Sequence, residues 1–361
     1  MKKNILISSG GSGGHIIPST IIYEHLKNDF DVFLTTDKRG VRFLKTEKYR
    51  VKIFNTPKIS KNLFILPLNF ILIFFLTLKS ILFLKKKNID ILISTGGYMS
   101  LPLCIAAKIS KVKIYLFEPN MVLGRANRFF LKMSEKIFCY SYDIKNFPIE
   151  SKNKIILIDP LLRKEFYSIK QNENLTIENK INFLIIGGSQ GAELFDNTLK
   201  DTIINLSKKY SIKIFHQTNR SNFNNLKSFY DKNNIENQLF DFKDDILEFI
   251  QNSNLCITRA GASTLSELTF LNIPYLAVPL PSAKDNHQMA NALFYKDKNC
   301  CWIVNEHKIN KEILTSNLKD IIQNKEDYLL KKKNMKKFSY QNSWNKINQK
   351  LKSIFNEISL P

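Results

Sequence analysis

Two glycine-rich runs, Gly10-Gly11-Ser12-Gly13-Gly14-His15 and Gly187-Gly188-Ser189-Gln190-Gly191-Ala192, each stand directly after a short apolar stretch, at residues 4–8 and 182–186. An apolar strand, a turn too tight for a Cβ and the start of an amphipathic helix form a setting in which free backbone N–H groups and the helix dipole favour an anion. Repeated about half a chain apart, the device predicts an α/β protein of two Rossmann-like, parallel-sheet domains separated by a deep cleft. Ligands of open parallel sheets bind at the carboxyl ends of the strands, so both loops are expected to line that cleft.

A chain of 361 residues with 44% hydrophobic content is long enough for two such cores. Apolar runs at residues 4–8, 31–35, 51–54, 90–94, 113–117, 136–140 and 154–158 alternate with helical patterns such as 16–27. A second series follows at 182–186, 212–216, 238–242, 255–258 and 274–278. Alternation of this kind predicts parallel sheets covered on both faces. The domains are expected at 1–160 and 161–340, with a hinge near Asp159-Pro160 and an exposed polar loop over 168–180. A helix at about 341–361 is expected to pack back on the first domain.

The formal charge of +22, from 54 Lys and Arg against 32 Asp and Glu, suits an anionic partner such as a phospholipid surface or a phosphorylated substrate. Abundant Lys, Asn, Ile and Phe, with AT-rich codons, give compositional drift as a second source of the same charge. Nucleic acid is disfavoured, because the chain has no zinc-finger spacing, no aromatic RNA-binding motif and no arginine-rich arm. Five cysteines without a C-x-x-C read as small core residues of a reducing compartment. Met1-Lys2-Lys3 leads straight into a strand, which reads as a cytoplasmic start and not a signal peptide.

Residues 62–84 carry Lys79 as their one charge and are followed by Lys85-Lys86-Lys87. The charge-free part approaches the roughly 20 residues that a membrane span needs. A strand at 90–94 follows at once, and a crossing would separate it from the strand at 4–8. The expectation is therefore a helix that dips its apolar excess into a leaflet and keeps its lysines at the headgroups, with a buried core helix as the competing reading.

The first glycine run is not G-x-G-x-x-G, since Ile16 stands where the last glycine belongs, which argues against a dinucleotide cofactor. Asp37 then reads as an ordinary strand-end carboxylate. His15 opens a helix, where the dipole disfavours imidazolium; it reads as a general base, against a capping or packing role. In Thr258-Arg259-Ala260-Gly261-Ala262-Ser263-Thr264-Leu265-Ser266-Glu267 a strand ends at a glycine turn. Ser263 and Thr264 then present hydroxyls and N–H groups suited to a diphosphate without a metal, and Glu267 suits a ribose diol. The cluster at 284–292, with His287, Gln288 and Asn291, supplies amides for sugar hydroxyls or, equally, a polar helix cap. Asp29-Phe30-Asp31 precedes its strand and is not read as a metal site.

These residues, with Pro18, Gly96-Gly97-Tyr98-Met99-Ser100, Glu118-Pro119-Asn120, Gly124, Asn127 and Arg128, occur in the order in which the MurG family has them, and the chain resembles that family of glycosyltransferases over residues 4 to about 300. The resemblance implies a GT-B fold and inverting transfer of N-acetylglucosamine from UDP-N-acetylglucosamine to the C4 hydroxyl of the muramyl sugar of undecaprenyl-diphosphate-linked lipid I. The product would be lipid II for peptidoglycan, hence for cell-wall growth, shape and division. It implies an acceptor site at Gly10, Gly11, Ser12, Gly13, Gly14, Gly96, Gly97, Tyr98 and Asn120, with His15 as base and Glu118 as second choice. It also implies a donor site at Ser12, Gly13, Asn120, Arg163, Gly188, Ser189, Gln190, Gly261, Ala262, Ser263, Thr264, Glu267, Gln288 and Asn291. No cofactor or metal is expected. The implied location is peripheral, on the cytoplasmic face of the inner membrane, with anionic phospholipid as a partner; oligomeric state is left open. The chain departs from the family at Phe117 and Pro119, where His and Gln are usual, at Ile158, where Gly is usual, and at Lys243 beside the implied uracil contact. A diacylglycerol-type glycosyltransferase and a non-catalytic nucleotide-sugar-binding membrane protein are the alternatives.

Overall fold

A computed structural model describes residues 2–57, 66–169, 177, 180–188, 193–241, 246–339 and 341–356. The chain forms two compact units, 1–167 with 342–361, and 168–341.

In the first unit the strands are β1 Asn4–Ser8, β2 Asp31–Thr36, β3 Val51–Ile53, β4 Ile91–Ser94, β5 Lys113–Glu118, β6 Lys136–Cys139 and β7 Ile155–Leu157. The helices are α1 Gly13–Leu26, α2 Lys38–Val41, α3 Leu66–Lys86, α4 Ser100–Ile109 and α5 Arg125–Phe130. All seven strands pair in parallel in the order β3-β2-β1-β4-β5-β6-β7. The order reverses between β1 and β4, and there the loops after both strands leave the sheet side by side, the usual place for a ligand on such a sheet.

The second unit contains β8 Lys180–Ile186, β9 Ser211–Gln217, β10 Glu236–Phe240, β11 Leu255–Thr258, β12 Tyr275–Ala277 and β13 Cys301–Ile303. Its helices are α6 Glu193–Ser207, α7 Phe223–Lys232, α8 Leu247–Gln251, α9 Ala262–Phe270, α10 His287–Lys296, α11 Lys311–Gln323 and α12 Lys325–Ser339. The sheet is parallel in the order β10-β9-β8-β11-β12-β13, reversing between β8 and β11. Near-continuous Ile, Leu and Phe in the central strands is what burial on both faces requires: Ile181, Phe183, Ile185, Leu255, Ile257 and Leu276 share one core with Phe195 and Leu199 of α6 and Leu314 and Leu318 of α11.

Three details depart from the sequence expectation. The unit boundary falls after Tyr167 and not at 160, because Leu161, Leu162 and Phe166 are buried in the first unit. In the stretch expected as an exposed loop, Ile177 is buried in the second core. The edge strand β13 was not anticipated; its only mark is the short apolar run 300–304 between polar residues.

The chain returns to the first unit through α13 Trp344–Asn356, whose Ile347, Leu351 and Phe355 lie in the β1/β5/α1 core. Asn342 ties the return by donating to the Pro160 carbonyl at 2.8 Å and accepting from the Tyr167 hydroxyl at 3.0 Å. Trp344 stacks on His25 of α1 at 3.6 Å, and burial pulls the His25 imidazole down to about 3 against a hydrogen bond with Asn348. All five cysteines are buried free thiols.

Helix α3 is amphipathic the wrong way round for a core helix. Its buried stripe is Asn69, Ile73, Thr77, Ser80 and Leu84. Thr77 and Ser80 satisfy their hydroxyls on the carbonyls of Ile73 and Leu76 one turn back, at 2.8 and 2.7 Å. Leu68, Phe70, Ile71, Leu72, Phe74, Phe75, Leu78 and Leu82 point outward, with Phe75 61% and Leu82 69% exposed.

Candidate active site

In the first unit three loops close on one another. Gly96 and Gly97, after β4, have φ of +91° and +84°, a region that L side chains rarely enter. A Cβ on Gly97 would lie 2.9 Å from Gly10 Cα, and one on Gly10 would lie 3.0 Å from the His15 ring. Both glycines are therefore required by space. Gly11 is blocked in the same way by Asp37, which caps α2 by accepting from the N–H groups of Arg39 and Gly40 at 3.0 Å and pairs with the Arg39 side chain. Asp37 is thus the structural strand-end carboxylate expected of it. The Arg39 guanidinium lies 4.7 Å from the centre of the Tyr98 ring.

His15 sits in the first turn of α1, with its Nδ1 2.7 Å from the Thr95 carbonyl oxygen. A carbonyl can only accept, so Nδ1 carries the hydrogen and Nε2 the lone pair. The Thr95 hydroxyl donates back to the His15 carbonyl at 3.1 Å, locking the pair. The helix start disfavours a proton on the ring. The result is an imidazole held in one orientation.

Glu118, at the end of β5, is 2% exposed. Its Oε1 accepts from Asn120 N and Nδ2 at 3.1 and 3.0 Å, and its Oε2 from Gly124 N and Asn127 Nδ2 at 2.8 and 3.0 Å. Burial raises its carboxyl above the usual range despite these four donors. With both oxygens engaged by its own loop, Glu118 reads as the residue that shapes 119–127 and sets Asn120, not as the group that takes a proton. The two clusters adjoin: a Cβ on Gly96 would lie 3.3 Å from His15 Cε1 and 3.6 Å from Asn127 Nδ2. Ser12 N-caps α1 in extended conformation without a side-chain bond, ahead of Gly13 and Gly14.

The departures at 117, 119 and 158 are absorbed by packing. Phe117 and Ile158 are core residues, Phe117 meeting Tyr140 edge-on at 5.8 Å, and Pro119 is buried. The Tyr140 hydroxyl accepts from Leu161 N at 3.0 Å and so steers the chain toward Arg163, whose guanidinium lies 4.5 Å from the centre of the Phe166 ring.

In the second unit, Gly261 caps α9 in extended conformation with no side-chain bond, so the first-turn N–H groups of Ala262, Ser263 and Thr264 have no partner within the helix. Glu267, one turn on, is buried. Gln288 accepts from the N–H groups of Ala260 and Leu280 at 3.1 and 3.0 Å through the same Oε1, and Asn291 donates to the Ala260 carbonyl at 3.2 Å. Both amides brace the turn that presents α9, a task that helix spacing alone does not reveal. Arg259 braces it from below: the buried guanidinium pairs with Glu306, donates to the Val278 carbonyl at 3.3 Å and lies 5.3 Å from the centre of the Phe195 ring.

Gly188 has φ +71°, and its N–H donates to Gln217 Oε1 at 2.8 Å. Ser189 and Gln190 lie outside the described residues, as does Lys243. Beside this loop is a buried polar group that sequence reading missed. Asp196 Oδ2 accepts from Thr218 Oγ1 at 2.6 Å and Asn222 Nδ2 at 2.7 Å, its Oδ1 stands 3.1 Å from His216 Nε2, and His216 Nδ1 lies 2.9 Å from the Tyr230 hydroxyl. Burial raises the Asp196 carboxyl, but bonds from His216, Thr218 and Asn222 outweigh it and hold it below the usual range; burial pulls the His216 imidazole below its ordinary value against the pull of Asp196. The signal available was position: 216–218 close a strand at its carboxyl end.

Two parallel-sheet units, each with a glycine-rich anion loop at its switch point, define a GT-B glycosyltransferase. The glycosyltransferase family 28 N-terminal domain matches residues 5–139 and its C-terminal domain residues 182–350. The UDP-N-acetylglucosamine--N-acetylmuramyl-(pentapeptide) pyrophosphoryl-undecaprenol N-acetylglucosamine transferase of Pelagibacter ubique is 57% identical, over 99% of this chain and 100% of its own. The enzyme of that name from Rickettsia prowazekii is 32% identical, over 90% of this chain and 92% of its own. The crystal structure of Acinetobacter baumannii MurG superposes with a TM-score of 0.75 at 22% identity, covering 97% of this chain and 99% of that one. The chain belongs to the MurG family.

Proposed function

We infer that this protein transfers N-acetylglucosamine from UDP-N-acetylglucosamine to the C4 hydroxyl of the muramyl sugar of lipid I, forming lipid II with inversion. The observation that carries the reading is the end-to-end 57% identity with a transferase of that name. The loops of the first unit hold the acceptor diphosphate. His15 Nε2 takes the proton of the muramyl hydroxyl as its oxygen bonds to the anomeric carbon and the bond from that carbon to UDP breaks. UDP departs with the electron pair, its charge stabilised by the free N–H groups at the start of α9, while Glu267 accepts from the ribose. A metal-free reaction is supported by that N-terminal charge, which can stabilise the departing UDP.

The test is incubation with labelled UDP-N-acetylglucosamine and either lipid I or diacylglycerol, with and without EDTA. Label in lipid I alone, retained in EDTA, is expected. Label in diacylglycerol would shift the reading to the lipid-glycosyltransferase alternative, and absence of turnover with donor binding to the scaffold alternative.

The protein works peripherally on the cytoplasmic face of the inner membrane, docked through α3. Support comes from the outward apolar face of α3 and the exposed Lys85, Lys86 and Lys87 at its end. Although α3 is long and apolar enough to cross a bilayer, it lies between β3 and β4, strands of one sheet, which argues against a span. Phe83 packs against Phe54 at 5.7 Å and belongs to the fold, unlike Phe74 and Phe75. Replacing Phe70, Phe74 and Phe75 by Ser is expected to release the protein from anionic vesicles without lowering its melting temperature. Unchanged cosedimentation would remove α3 as the anchor.

A further inference from the structure

The two glycine loops of the first unit share one charged neighbour, Arg39. It stands beside Gly11 of the first loop, where an added Cβ would lie 3.0 Å from Arg39 Cβ. Its guanidinium lies 4.7 Å from the centre of the Tyr98 ring, next after Gly97 of the second loop, and is hydrogen-bonded to the Tyr98 side chain. Asp37, 3% exposed, fixes the arginine from the other side. Its Oδ1 accepts from the N–H groups of Arg39 and Gly40 at 3.0 Å, and its Oδ2 from Arg39 Nε at 2.9 Å and from Arg39 Nη2. The carboxylate thus takes the edge of the fork formed by Nε and Nη2 and leaves Nη1 outside that pair. Arg39 is exposed, and residues 37–42 carry Lys38, Arg39 and Arg42 against Asp37 alone, an excess of positive charge.

We propose that Arg39 is a binding residue of the acceptor site, its Nη1 edge donating to the diphosphate of lipid I. The proposal rests on the reading that these loops take that diphosphate. Glycine turns supply N–H groups but no full charge, and His15 acts as a base only with its lone pair free, so it does not supply one either. A guanidinium stays charged at any working pH and offers donors in a planar fork that matches phosphate oxygens. The Tyr98 ring and the Asp37 carboxylate hold that fork before the acceptor arrives, so little side-chain freedom is lost on binding.

The test separates binding from turnover in steady-state kinetics with lipid I and UDP-N-acetylglucosamine. Arg39→Gln removes both the charge and the fork. The lipid I KM is expected to rise about tenfold to hundredfold through the lost charge-assisted hydrogen bonds, while kcat stays within about threefold, the donor KM within about twofold and the melting curve is little changed. Arg39→Lys keeps the charge but not the fork, and is expected to raise the lipid I KM about threefold to tenfold. A lipid I KM within about twofold of wild type in the folded Gln variant overturns the proposal. A larger fall in kcat, with or without a change in KM, also overturns it, because that marks an arginine that only braces the loops around His15. If Arg39→Gln does not fold, Arg39→Lys decides by the same criteria, and if neither folds the arginine is structural and the proposal falls. Failure of the wild-type protein to use lipid I would instead refute the acceptor reading beneath it.

Discussion

A Cβ placed on Gly97 would stand 2.9 Å from the Gly10 backbone, whereas one placed on Gly188 would meet none of the described residues within 4 Å. The first-unit loops are shaped by direct contact: two glycine backbones and the His15 ring occupy the space that side chains would need. In the second unit the Gly188 N–H is bonded instead by a side chain of the neighbouring strand, Gln217, and Thr218 donates to Asp196 at the start of α6. One sequence device is thus held in place by two different forces. Contact yields little, so the His15 ring keeps one direction.

The largest expected effect is on chemistry in the first unit. His15→Ala should lower kcat by about 10² to 10⁴ while UDP affinity stays within about twofold, read from turnover and from binding separately. Wild-type turnover would break the assignment of His15 as base.

Gly97→Ala comes next, since it adds a close backbone contact to a left-handed φ. Overpacking of about 1–3 kcal/mol and a backbone cost of about 1–2 kcal/mol should lower kcat, raise the lipid I KM and lower the melting temperature. Gly188→Ala meets only the backbone cost, about 1–2 kcal/mol, so the donor KM should rise up to about tenfold with the lipid I KM unchanged. Equal losses in the two variants would erase the distinction between a glycine held by contact and one held by a hydrogen bond.

The smallest effect on activity lies outside both loops, at the return helix. Burial against Trp344 lowers the His25 pKa from 6.5 to about 3, so folding favours the neutral ring. The stability it contributes is fully present above pH 6.5 and is lost as pH falls from 6.5 toward 3. Thermal melts across this interval should show a steeper fall for wild type than for His25→Phe, with activity at pH 7 the same in both. Parallel curves would show that His25 is not the group that charges.

The parts of the candidate site that were legible in the chain are those with local causes. An apolar run followed by glycines and a helical pattern marks a strand–loop–helix unit in a few residues, so β1, β8 and β11 and the starts of α1 and α9 could be placed. The parts missed are short or non-local. The apolar run 300–304 becomes β13 only through its pairing with β12. Glu118 looked like a possible base because its four donors come from a loop whose shape no spacing displays. The bonds of Gln288 and Asn291 to the 260 turn were hidden because they join residues about thirty positions apart.

Composition and periodicity also set how many apolar residues α3 carries, but not which of them meet the protein. That choice came from packing against α4, which turned Asn69, Thr77 and Ser80 inward and left Phe74 and Phe75 outside. The order of the residues dictated two parallel-sheet units with glycine turns, because backbone freedom and strand or helix period act over a few residues. The orientation of His15, set by a carbonyl eighty positions away, and the bonds of 217 and 218 to Gly188 and Asp196 exist only once the strands are paired, because each is a hydrogen bond between groups that the chain alone keeps far apart.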